Sequence, residues 1–291
     1  MVHDPKKILN RKMGLPETQI TPLSETNNQV FRVDSPGNPA YLLKRFGEGC
    51  SEAFQREVGM RECLRRFSDV RFPKIIQSVE VDEIWYVLQE FVSGNSLQTL
   101  WDADKARAGN EMEKLGAMLA GLHSIPIDEA APFLSREEVL YSPEYRTKMV
   151  ETIAPHLPMP NLRESLNSCF AVVTRPDLEH VVIHADFGPH QVVVDEKGQW
   201  VLLDFEYAAI APFADDLGGT EVRLEQKEYP NWDGFLAGYA QKRPVLSAYE
   251  PVRNAFMAFN LLAMLTYAIY KEKIPAKSEL ERLQTLLGTI S

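Results

Sequence analysis

Cysteine is scarce in this chain: Cys50, Cys63 and Cys169 are scattered, with no CxxC spacing. They support neither a disulfide framework nor a thiolate zinc site, and they fit a reducing compartment. The opening segment MVHDPKKILNRKMGLP lacks the apolar core of a secretion signal. Long hydrophobic runs are missing too. The longest, Ala255 to Tyr270, spans about 16 residues and includes Asn260, short of the ~20 that a membrane span needs. Together these absences predict a cytoplasmic chain with no membrane partner. Positive charge is also in deficit, with 31 Lys+Arg against 41 Asp+Glu. A protein that tracks phosphate backbones usually carries the opposite sign, so nucleic acid is not an expected partner.

What is present is an ordinary globular composition, 45% hydrophobic and 25% charged over 291 residues. That length predicts two lobes, each able to bury a core. The acid is uneven. Residues 1–91 hold 13 basic and 13 acidic side chains, so the whole surplus of ten negatives lies in residues 92–291. Such a surplus serves solubility, or else a pocket that attracts a cation.

The hydrophobic pattern changes along the chain. Gln29–Val33 and Ala40–Phe46 read as strands around the turn Ser35-Pro36-Gly37-Asn38-Pro39. Ser51 is a candidate N-cap for a helix over Glu52–Phe67, with Met60, Cys63, Leu64 and Phe67 on one face. Lys74–Val81 and Ile84–Phe91 read as two more strands around Asp82-Glu83. Ser93-Gly94-Asn95 breaks the chain, which places a boundary near residue 92 and gives an N-terminal lobe of 1–91 and a C-terminal lobe of 92–291. Beyond it, Glu111–His123 is an amphipathic helix, 125–180 is irregular and proline-bearing, and the end is helical from Asn231. Val181–Ile183, Gln191–Val194 and Trp200–Phe205 are strand-like.

The chemistry-bearing segment is V-V-I-H-A-D-F-G-P-H-Q-V-V-V-D-E-K-G-Q-W-V-L-L-D-F-E-Y. Asp186 sits in a loop after a short strand, Gln191 follows five residues later, and Asp204 ends a hairpin that returns the chain to its starting edge. One carboxylate able to orient a proton and another able to hold a hard cation suit phosphoryl transfer.

These residues resemble the small-molecule kinases with a protein-kinase-like fold, the aminoglycoside phosphotransferases and the choline and ethanolamine kinases. The resemblance covers residues 20 to about 220, and D-F-E-Y at Asp204–Tyr207 is similar to the choline-kinase branch. It implies an α+β, bilobal fold, with an antiparallel sheet and one helix in the first lobe and a larger, mainly helical second lobe. It implies ATP and magnesium as cofactors and a small-molecule hydroxyl as acceptor. By the same likeness Asp186 is the catalytic base, Asp204 a magnesium ligand, and Gln191 stands where a second metal-binding Asn is usual. Lys44 would meet the nucleotide phosphates and pair with Glu57, the backbone of Glu90, Phe91 and Val92 would bond the base, and Asp216 would support the site.

Two departures stand out. Gln191 adds one methylene to the usual Asn, and magnesium tolerates little distortion of its octahedron. The nucleotide loop Ser24-Glu25-Thr26-Asn27-Asn28 has no glycine, leaving the side chains of Ser24 and Asn28 as the phosphate donors.

Blander readings compete. Glu57 pairs at helical spacing with Arg61, Asp186 fits a turn beside Gly188-Pro189, and His184 and His123 read as buried scaffold histidines. Glu206 and Asp215 either line the acceptor pocket or face solvent. The acidic second lobe favours a cationic amine-alcohol, aminoglycoside- or choline-like, as acceptor. The rival functions are a non-catalytic kinase-like binding protein of the spore-coat type, favoured by Gln191, and a metal-dependent hydrolase using His184, Asp186 and His190.

Overall fold

The computed structural model describes residues 4–16, 18–25, 28–67, 70–134, 141–244 and 246–290. Helix α1 (Pro5–Met13) comes first. Asp4 caps it by accepting Lys6 N–H at 3.0 Å, and Gly14 ends it at φ 68, a left-handed position that glycine occupies without strain. An antiparallel sheet follows, β1 (Gln19–Glu25), β2 (Gln29–Asp34), β3 (Tyr41–Arg45), β4 (Ile75–Val81) and β5 (Ile84–Glu90), in the order β1-β2-β3-β5-β4. Helix α2 (Ser51–Phe67) is inserted between β3 and β4.

Strand alternation sorts this sheet into two faces. Phe31, Val33, Leu43, Tyr86 and Leu88 pack on Ile8 and Leu9 of α1. On the opposite face Phe46 and Val87 pack on Phe54 of α2, whose ring stacks on Trp85 at 3.9 Å. Lys44 follows Leu43 and therefore points to the α2 side, in register with Val30 and Val87.

After β5 the chain forms β6 (Gly94–Ser96), α3 (Leu97–Ala103), α4 (Lys105–His123), α5 (Ile127–Ala130), α6 (Pro143–Ile153) and α7 (Leu162–Val173). Then come β7 (His180–Ile183), a 3-10 turn at Pro189–Gln191, β8 (Val192–Asp195), β9 (Trp200–Leu202) and β10 (Ala209–Pro212). Helices α8 (Phe213–Gln226), α9 (Trp232–Ala240), α10 (Leu246–Tyr249), α11 (Arg253–Tyr270) and α12 (Lys277–Gly288) complete the chain. Strands β7 and β10 pair with each other, and β6, β8 and β9 form a second small sheet. Helices α4 and α9 approach so closely that a Cβ on Gly116 would lie 1.9 Å from Phe235 O.

The fold is α+β and protein-kinase-like, as the motifs imply. Some elements differ from the sequence expectation. Strand β1 is unexpected because Pro22 interrupts its pattern; an edge strand tolerates the missing donor, and the register shifts there. Helix α2 begins at Ser51 itself. The helix expected over Glu111–His123 starts at Lys105, because Asp104 accepts Ala106 N–H at 3.0 Å and Arg107 N–H at 3.2 Å. Among the described residues no helix is long and apolar enough to cross a membrane.

Candidate active site

Lys44 is buried at the floor of a cleft. Its Nζ lies 2.6 Å from Asp204 Oδ1, 2.8 Å from Glu206 Oε2 and 3.9 Å from Glu57 Oε2. Burial alone would lower the Lys44 pKa, but the carboxylates of Glu57, Asp204 and Glu206 outweigh it and hold the ammonium charged. Glu57 is reached from both directions anticipated. Burial raises it, yet Lys44, Arg61 and the Phe205 N–H bring its net pKa below the ordinary range. Arg61 Nη2 donates to Glu57 Oε1 at 2.5 Å and Arg61 Nη1 to Gln89 Oε1 at 2.7 Å. Glu206 shifts the other way: burial, with the charges of Asp204 and Glu57, raises it against the pull of Lys44.

Asp186 sits in the loop between β7 and the 3-10 turn. Gln191 Nε2 donates to its Oδ2 at 2.6 Å, and His190 Nε2 to the same oxygen at 3.3 Å. Arg223 Nη2 of α8 donates to Oδ1 at 2.5 Å. Burial raises the Asp186 pKa, but the His190 hydrogen bond and the Arg223 charge overcome it and keep the carboxyl ionised well below the usual range. The loop is braced from beneath. Asp216 Oδ2 accepts His184 N–H at 2.7 Å and Oδ1 accepts Ala185 N–H at 2.8 Å, which supports Ala185 at φ 63. His123 Nε2 donates to Asp216 Oδ2 at 3.0 Å and its Nδ1 faces Tyr239 Oη at 2.8 Å.

The cleft over Lys44 has a volume of about 340 Å³; Gln191 lines it, whereas Asp186, bonded to Gln191, is not among its lining residues. Val30, Leu42, Val193 and Leu203 supply apolar walls, Glu90, Phe91 and Val92 one edge, and Asn28, Lys44, Gln191, Asp204 and Glu206 the polar end. Phe91 N–H is bonded to Ala40 O, whereas Val92 N–H has no partner among the described residues.

The expected residues are thus brought together, with qualifications. Asn28 lines the cleft, but its amide is engaged: Nδ2 donates to Glu206 and Oδ1 accepts Gly47 N–H at 3.2 Å. Ser24 is the penultimate residue of β1, while its side chain, that of Glu25, and Thr26 and Asn27 lie outside the described residues. Gln191 turns its amide nitrogen to Asp186. Glu206 and Asp215 are buried; Asp215 accepts from Tyr141 Oη at 2.5 Å and from Asn260 Nδ2 at 2.7 Å. His184 cannot serve the hydrolase reading without breaking the loop, since Nε2 donates to Leu203 O at 2.8 Å and Nδ1 accepts Asp186 N–H at 3.3 Å.

Sequence reasoning passes over Arg223 and Gln89. A signal for Arg223 exists: it follows Asp216 by seven residues, two helical turns on the same face.

The sequence matches the phosphotransferase enzyme family (APH) over residues 19–252. The chain belongs to that family. It is a small-molecule kinase, and its chemistry is small-molecule phosphotransfer. Solved structures agree on the fold. An aminoglycoside phosphotransferase, APH(2")-IIIa, in complex with GDP and kanamycin superposes with a TM-score of 0.72 at 18% identity, covering 99% of this chain and 98% of that one. A thermostable mutant of APH(4)-Ia in ternary complex with AMP-PNP and hygromycin B gives 0.64 at 15%, covering 98% and 97%. The GDP complex of wild-type aminoglycoside 2'-phosphotransferase-IIIa gives 0.68 at 18%, covering 98% and 96%. A search of curated protein sequences finds no match.

Proposed function

We propose that this phosphotransferase is an ATP- and magnesium-dependent kinase of a small-molecule hydroxyl, with its catalytic cleft where the two lobes meet. The observation that carries this reading is the position of Gln191, which lines the cleft beside Lys44 and Asp204 while holding Asp186 at 2.6 Å. The aliphatic walls accept a purine, Val92 N–H supplies a donor at its edge, and Lys44 meets the phosphates. The lobes join at residues 91–93, between the last residue of β5 and the first of β6.

Asp186 orients the acceptor hydroxyl and takes its proton as the acceptor oxygen bonds to the γ-phosphorus. The bond from that phosphorus to the β–γ bridging oxygen breaks, and ADP leaves. The donors at the polar end fit magnesium: Asp204, Glu206 and the Gln191 amide would offer it oxygen ligands, and the Lys44 ammonium already occupies the gap between the two carboxylates. Among the described residues no three His, Cys, Asp or Glu side chains group to hold a metal alone, so phosphate oxygens would complete its shell. Bound there, the ion would neutralise charge on the phosphates. Three free thiols suit the cytoplasm, where ATP is supplied.

Calorimetric titration of ATP with magnesium, followed by ADP release across a panel of acceptors, tests the assignment. Neither ATP binding nor turnover would overturn it in favour of a non-catalytic scaffold.

A further inference from the structure

The acidic surplus of the second lobe raises the expectation of an anionic pocket for a cationic acceptor. The described surroundings of Asp186 have a different character. Its carboxylate is met by Arg223 and by His190. Asp215 is held by Tyr141 and Asn260, and Glu221 is clasped by Arg253 and Tyr249. A cationic acceptor would therefore meet a carboxylate that already has a guanidinium partner.

Arg223 is placed for more than an ion pair. A Cβ on Gly219 would lie 2.9 Å from Arg223 Nη1, and a Cβ on Gly188 would lie 3.3 Å from Arg223 Cδ. Two positions without side chains thus leave the lane along which Arg223 reaches Asp186. Its side chain retains 17% exposure and that of Asp186 26%, so neither is sealed from an arriving ligand. Among the described residues only Nη2 has a hydrogen-bond acceptor, Asp186 Oδ1, which leaves Nη1 and Nε of a planar fork available. Such a fork matches a carboxylate or phosphate in two-point contact.

We infer that Arg223 is an acceptor-specificity residue, and that the acceptor is a small hydroxy compound carrying an anionic group, a carboxylate or phosphate, bound by the free face of the guanidinium while Asp186 takes the hydroxyl. The inference rests on the kinase reading above and names its substrate class. The 2.5 Å ion pair sets the two recognising groups side by side, so one small acceptor can engage both at ordinary hydrogen-bond lengths.

The test compares matched acceptors, D-glycerate with glycerol and gluconate with glucose, beside kanamycin and choline, using ATP, magnesium and the full chain. ADP release is measured for the parent protein, Arg223→Gln and Arg223→Lys, and thermal melts verify that each variant is folded. The expected result is turnover of an anionic member in preference to its neutral partner. Arg223→Gln should then raise KM for that anion at least tenfold with the KM for ATP unchanged, and Arg223→Lys should recover part of the loss. The inference is overturned by turnover of kanamycin, choline or a neutral member at least as good as the anions. ATP binding with no acceptor used, or a KM indifferent to Arg223→Gln, overturns it equally. Absence of both ATP binding and turnover removes the kinase reading instead, so the two failures are distinct.

Discussion

Glu57 Oε2 accepts the Phe205 N–H at 2.7 Å across 148 residues of sequence. This bond ties α2 to the residue after Asp204, so the helix and that carboxylate cannot shift independently. Asp204 itself sits at φ 59, a left-handed backbone position unusual for a non-glycine residue, and the Glu57 bond helps to hold it there.

Asp186→Ala should leave ATP affinity within about twofold of the parent while lowering kcat by 10²-fold or more, the scale expected for loss of a general base. Calorimetry and an ADP-release assay separate the two quantities. Full activity in the variant removes Asp186 from the mechanism.

Lys44→Met should act on both stability and function. It leaves the buried Glu206 and its neighbour Asp204 without their cation, while Glu57 keeps Arg61, and removing one partner of a buried ion pair costs about 3–5 kcal/mol. A fall in the denaturant midpoint, with ATP affinity weakened at least tenfold, is the expected outcome.

Gln191→Asn shortens the amide by one methylene and takes its nitrogen away from Asp186. The magnesium concentration for half-maximal rate should fall, because the shorter side chain suits the octahedral shell without displacing the loop. An unchanged or higher magnesium requirement contradicts the assignment of residue 191 to the metal side.

Stability should fall with acid from two linked groups. Burial lowers the His123 pKa, outweighing Asp216, so the folded state keeps it neutral. The unfolded chain binds the extra proton, so stability declines as pH drops below about 6.5. Burial raises Asp216, but the His123 hydrogen bond and the other contacts with His123 and His184 overcome that and lower it, adding a further loss below about 3.9. Melting temperatures between pH 7.5 and 4.5 should therefore fall, and His123→Gln should flatten the upper part of that slope.

Gly116→Ala tests the helix scaffold apart from the site. Its Cβ would press into the Phe235 carbonyl, forcing α4 from α9 at a cost of about 1–3 kcal/mol. A melting temperature equal to the parent's contradicts this packing.

The strands carrying Lys44 and the hairpin returning to Asp204 are legible because alternation and turn residues lie within a few positions of each other. The pairing of His123 with Asp216 is not legible, since a buried histidine and a helical aspartate carry no local mark of contact. Arg223 escapes for a related reason. An arginine on a helix usually reads as solvated, and only the brace that Asp216 gives to His184 and Ala185 fixes which helix face meets the loop. Helix α1 escapes because its first turns carry few apolar residues, and what holds it is the sheet face formed by Phe31, Val33 and Leu43.

The pairing of Gly94–Ser96 with Val193–Asp195 stitches the strand after the junction to the hairpin that follows Gln191. Three residues, Phe91 to Ser93, separate that seam from the last paired position of the large sheet. A purine held as proposed would rest against those three residues, on the covalent link between the two sheets.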